Sequence, residues 1–266
     1  MLVLRCVIAR ADPPAVTDAA PPADAPPAFD RTSGLDVLPL DAAAATVEGG
    51  FQHAIGSDTV ALIAGARMAV GRGGFLDVML PIGLETPDSA ATLGNATLRA
   101  GYLPRGSRLA AIALRVSAPT SPAVGAGART ANEIAVPRVA DGELFLPDTT
   151  SVELLADLRW SHPTWWLQAE AGAAAWWQPE RRVDGVMRLS FAGGVPVESW
   201  LELTASLVTR SFLLAHGAPE NFTHTFALGI VTHNCRGQLA LRLEVPIDKS
   251  ARDDDRFVVG LELRGR

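Results

Sequence analysis

The chain has no uninterrupted apolar run as long as a membrane-crossing helix requires, about 18 residues or more. Any passage through a membrane would then fall to strands closed into a barrel, because lipid offers backbone groups no partners. Cysteine is scarce: Cys6 and Cys235 are the only two in 266 residues, too few for a disulfide framework. Both read as unpaired thiols, and Arg5 beside Cys6 argues against a lipid-modified cysteine, which wants a small residue there. A basic excess is missing too. The net charge is −6 and the pI about 5.4, so nucleic acid is not an expected partner. GxGxxG, P-loop, GxSxG and HExxH patterns are absent. His53, His162, His216, His224 and His233 lie apart, without metal-ligand spacing. His224 also lacks the Asp-Ser-Asn-Gly context that barrel phospholipases carry beside their histidine. No catalytic residue, cofactor or metal is expected.

What is abundant is a two-residue alternation that keeps restarting. From Trp200 to Arg210, Leu201, Leu203, Ala205 and Leu207 point one way, and Glu202, Thr204, Ser206 and Arg210 the other. A soluble sandwich buries the apolar face against a second sheet; a membrane barrel turns it to lipid. Twelve such segments are predicted, at 44–55, 59–70, 75–84, 93–103, 108–118, 150–160, 164–178, 185–192, 199–212, 220–232, 237–247 and 256–265. Most match the roughly 9–11 residues of a tilted strand crossing a bilayer.

Before them, residues 1–11 read either as a signal-peptide remnant ending Ala9-Arg10-Ala11 or as an ordinary tail. Residues 12–42 are a Pro/Ala-rich disordered linker, since proline lacks the ladder N–H and little here can be buried. The barrel would occupy 43–266. Its links sort by length. Short ones at 71–74, 104–107, 161–163 and 233–236 alternate with longer ones at 85–92, 119–149, 213–219 and 248–255. Bacterial barrels have short periplasmic turns and longer outer loops, which places both termini in the periplasm.

Aromatic residues gather at strand ends, as in the girdles at a membrane interface. Trp160, Trp165, Trp166 and Trp200 flank the short turns; Trp176, Trp177, Phe212, Phe222 and Phe257 flank the longer loops. With the Leu/Val face turned to lipid, the lumen face carries Arg67, Asp77, Asn95, Arg99, Arg115, Glu153, Asp157, Arg159, Glu170, Arg188, Glu202, Arg210, Arg242, Glu244 and Glu262. Buried charges must be paired or hydrated, and a water-containing lumen meets that condition. A soluble barrel with its charges outward and its Leu/Val face around an apolar ligand meets it as well.

Loop 119–149 is rich in Pro, Gly and Ala and ends in Glu143-Leu144-Phe145-Leu146. Loops this long are functional or disordered. It either folds inward as a constriction, stands outward as a binding surface, or moves. The Asp253-Asp254-Asp255 run reads as a solvated outer loop.

Three motifs carry a resemblance. They are Leu80-Pro81 at a strand end, Leu93-Gly94-Asn95 followed by Tyr102, and Pro119-Thr120-Ser121 leading into the long loop. With them, the segment from Thr46 to Ser121 resembles the family of outer-membrane proteins named for the MetA pathway of phenol degradation. At its end the chain departs from the barrel pattern, reading Leu263-Arg264-Gly265-Arg266 where such barrels usually carry an aromatic residue. Pattern and resemblance together imply an all-β fold: a closed antiparallel up-and-down transmembrane β-barrel of about 12 strands in a bacterial outer membrane. The resemblance implies passage of small, hydrophobic or aromatic solutes. Outer-membrane lipid and a small-molecule solute are the expected partners. A plugged barrel whose outer loops bind partners, and the soluble ligand-binding barrel, are the competing readings.

Overall fold

The computed structural model describes residues 44–54, 57–70, 74–86, 90–102, 110–135, 138, 142–179, 181–213, 222–234, 237–248 and 255–265. The leader 1–11, the linker 12–42 and the Asp253-Asp254 pair lie outside them.

Among the described residues thirteen strands follow one another: β1 (Ala44–Ala54), β2 (Ser57–Val70), β3 (Gly74–Thr86), β4 (Ala91–Leu93), β5 (Thr97–Tyr102), β6 (Ala110–Ser117), β7 (Thr150–His162), β8 (Trp165–Gln178), β9 (Arg181–Glu198), β10 (Leu201–Phe212), β11 (Phe222–Asn234), β12 (Gly237–Pro246) and β13 (Phe257–Gly265). A helix, α1 (Gly125–Ala135), and a 3-10 turn (Gly142–Leu144) lie between β6 and β7. All pairings are antiparallel. β4 and β5 both pair with β3, one beyond the other, so the thirteen strands fill twelve positions. β1 pairs with β2 on one side and β13 on the other, and β2 pairs with β3. These pairings close the ring, and closure removes the sheet edges that lipid cannot satisfy.

The alternation resolves into two opposed surfaces. Leu203, Leu241 and Ile112 are 47%, 49% and 54% exposed, whereas Glu202, Glu244 and Arg115 are 6%, 2% and 4% exposed. Leaving one large aliphatic side chain in water costs about 1.5–3 kcal/mol relative to burial. Leu80, Leu98, Leu154, Leu189, Phe226 and Leu261 extend the exposed apolar surface around the ring. Such a band suits hydrocarbon, not water. The soluble reading required the Leu/Val face inside, and this sidedness overturns it.

Two strand boundaries need correction. The segment expected at 93–103 is broken at 94–96, where the Gly94 N–H still donates to Pro81 O of β3 while the Asn95 N–H turns to Leu144 O of the long loop. The segment expected at 185–192 runs from Arg181 to Glu198. Gly193, Gly194 and Pro196 look like breakers, yet Gly194 leaves room that the Trp166 indole fills; a Cβ there would meet its Nε1 at 2.3 Å. Pro196 stands next to a register shift at Leu201/Glu202, a place where a missing N–H is tolerated.

Candidate functional site

Strand register sets the inner charges in rows. Arg67 lies opposite Asp77, Asp77 opposite Arg99, Arg99 opposite Arg115, and Arg115 opposite Glu153. Asp77 accepts from Arg67 at 2.6 and 2.9 Å and from Arg99 Nε at 2.7 Å, with the Phe75 ring beneath both guanidinium groups. Farther round, Arg188 Nε is 3.0 Å from Glu170, Gln168 donates to Asp157 at 2.9 Å, and Arg242 is 2.5 Å from Glu244. Near the short-turn end Arg159 stacks on Trp166, whose indole N–H donates to Glu202; His233 approaches the same carboxylate at 3.5 Å. Arg67, Asp77, Arg99, Arg115, Glu153, Asp157, Arg159, Glu170, Arg188, Glu202, Arg210, Glu244 and Glu262 are all buried on this face, and Arg242 is half-buried. Where hydration was the expectation, cross-strand pairing and close packing meet the charges.

The aromatic expectations divide. Trp160, Trp165, Trp177 and Trp200 are exposed. Trp166 is buried inside, and Trp176 faces the interior against Phe212, with Arg210 over its ring at 5.8 Å. Both leave the proposed girdle for one reason. Adjacent residues of a strand face opposite sides, so each Trp-Trp pair contributes only one ring to lipid.

Loop 119–149 folds into the ring. One stripe of α1, comprising Thr130, Ala131, Ile134 and Ala135, is buried. Ile134, Ala135, Leu144 and Phe145 pack on Ala61 and Ile63 of the inner wall. Gly83 makes space for this, because a Cβ there would lie 2.2 Å from Ile134 Cδ1. Thr130 Oγ1 and Glu85 Oε2 lie 2.6 Å apart in a hydrogen bond.

The Leu-Gly-Asn and Pro-Thr-Ser motifs form the clasp that holds this loop. Asn95 Nδ2 donates to the carbonyls of Glu143 and Leu146, both at 2.8 Å, and its Oδ1 accepts from Ser121 N–H at 3.1 Å. Its own N–H donates to Leu144 O at 2.6 Å. Thr120 Oγ1 donates to Gly94 O and accepts from Ala96 N–H. A Cβ at Gly94 would lie 2.4 Å from Leu144 O, so the loop approaches closely only over glycine.

The clasp positions Glu143, whose side chain is buried. Arg115 Nη2 on β6 donates to Glu143 Oε1 at 2.6 Å, and Arg210 Nη2 on β10 lies 2.7 Å from Oε2. Burial alone would raise the Glu143 pKa; Arg210, Arg115 and Arg188 outweigh it and hold the carboxyl at about 2. Arg115 also binds Glu153. An inner carboxylate is thus gripped from two wall positions with β7, β8 and β9 between them. Sequence patterning missed Glu143 because it follows no strand period. The available signal was a lone acid beside Leu144, Phe145 and Leu146, a setting that demands a buried cation. The interior residues Phe75, Arg138 and Arg264 were missed as well.

In fold the chain is similar to the NanC porin, with TM-score 0.58, 9% identity and coverage of 84% of this chain and 99% of that one. Similar too is the COG4313 outer membrane channel from Pseudomonas putida F1, at TM-score 0.56, 12% identity and coverage of 86% and 96%. For the KdgM porin in complex with disordered oligogalacturonate the values are 0.51, 5%, 83% and 98%. No family model and no curated protein matches the chain. At these identities the likeness speaks for architecture: the chain has the twelve-position, antiparallel, up-and-down fold of an outer-membrane β-barrel.

Proposed function

We propose that this protein is an outer-membrane channel for small solutes, with loop 119–149 as its constriction. The observation that carries the reading is a closed ring with an apolar outside, an ionic inside, and a chain segment folded into its bore. Fold likeness to porins supports it. The longest links, between β6 and β7, β10 and β11, and β12 and β13, leave one end; the chain enters β1 and leaves β13 at the other. By the loop rule for bacterial barrels, the termini are periplasmic. For the solute, we keep the small hydrophobic or aromatic class of the MetA-pathway resemblance, which rests on the motifs of the clasp. Val186, Val208 and Trp176 on the inner face suit such a solute.

A second reading has an observation of its own. The inner charges are packed to near-complete burial, as in a plugged barrel serving as a scaffold for outer loops. Planar bilayers decide. The channel predicts discrete conductance that rises when residues 123–148 are deleted. A correctly folded barrel that stays silent with and without the loop would favour the scaffold.

A further inference from the structure

We infer that Arg115 and Arg210, with Arg188 behind them, form a carboxylate-binding site that Glu143 occupies from within, and that a small solute bearing a carboxylate competes for it. This rests on the channel reading only for how the solute arrives.

The other ionic contacts of the wall join near neighbours in the sheet: Arg67 lies directly opposite Asp77, Arg188 diagonal to Glu170, and Arg242 two residues from Glu244 on β12. Glu143 is different. It comes from a loop with no sheet register, and its two oxygens go to arginines four strand positions apart, at 2.6 and 2.7 Å. Two guanidinium groups on separate oxygens are a strong arrangement for a carboxylate, and low polarity strengthens it. Glu153 is also paired with Arg115, and Glu170 with Arg188. The flanks are apolar: Val208 precedes Arg210 by two residues on the same face, Val186 so precedes Arg188, and the Trp176 ring lies under Arg210. An aryl or alkyl group attached to the competing carboxylate would meet these side chains. A small monocarboxylate is therefore the solute class the site fits.

The test uses benzoate as probe and benzamide as its uncharged counterpart, on the full-length barrel in detergent, read by tryptophan fluorescence. While Glu143 holds the site most of the time, apparent affinity for an outside carboxylate is lowered by the small vacant fraction. Glu143→Gln should tighten benzoate binding about tenfold and leave benzamide unchanged. Adding Arg210→Gln should abolish the gain. A change under about twofold, or an equal gain for benzamide, overturns the site. Should Glu143→Gln fail to fold, wild type decides. Saturating benzoate should speed proteolysis within 123–148 several-fold and benzamide should not; unchanged cleavage overturns the proposal. Binding as expected with silent bilayers would leave this site standing and sink the channel. Conductance without the benzoate effect would do the reverse.

Discussion

The Glu143 carboxylate and the Arg210 guanidinium meet at 2.7 Å inside the ring, the first carried by an inserted loop and the second by β10. The loop is thus held at two places by different chemistry. Asn95 pins its backbone, and the wall arginines pin its charge. Apolar packing of Ile134, Leu144 and Phe145 fills the space between.

Asn95→Ala removes three side-chain hydrogen bonds and strands the buried carbonyl of Glu143 and the part-buried one of Leu146. At about 1 kcal/mol for each bond, docking should weaken by roughly 3 kcal/mol. Hydrogen exchange at residues 142–149 should then quicken about a hundredfold. Gly94→Ala should act similarly, because its Cβ would press on the Leu144 carbonyl oxygen. Unchanged exchange in both variants would contradict the clasp.

Acid should release the loop, and only strong acid. The Glu143 carboxyl sits at about 2 when docked, against an ordinary 4.5. A depressed folded-state pKa gives stability that is complete above the ordinary value and lost as pH falls through the depressed one. Protection of 142–149 against exchange, corrected for intrinsic rates, should be level from about pH 5 to 8 and decline between about 4.5 and 2. In Glu143→Gln this decline should vanish. A midpoint near neutrality would contradict the assignment.

Asp77 joins Arg67 of β2 to Arg99 of β5 and so braces the wall across three strand positions. Asp77→Asn leaves two buried guanidinium groups around a neutral side chain, a loss on the order of 3–5 kcal/mol. The midpoint of heat-modifiable gel migration should drop. Val78→Ala, at the neighbouring outward position, should move it far less. Equal shifts would argue against the brace.

Much of this architecture was legible because a strand repeats every two residues. From Ser151 to Arg159, buried and outward positions alternate as the side chains do. The same rule, applied strictly, separates Trp165 from Trp166 and Trp176 from Trp177; clustering at strand ends obscured it. The extent of β9 was hidden because Gly194 looks like a breaker, and its purpose appears only once the Trp166 indole occupies the space beside it. The path of the long loop was not legible. Its anchors, Asn95 and Glu143, lie 48 residues apart, and no local period connects them. Their motifs were visible, but not what they hold.

Apolar rows face outward to lipid, and ionic rows face a closed interior. Trp165 and Trp166 test this sidedness most directly, being one residue apart and assigned to opposite faces. Variants retaining one of these as the sole tryptophan can be reconstituted in bilayers whose acyl chains are brominated near the headgroup. Trp165 should be quenched strongly, and Trp166 several-fold less. Equal quenching, or stronger quenching of Trp166, would contradict the assignment of faces on which the channel and its inner site depend.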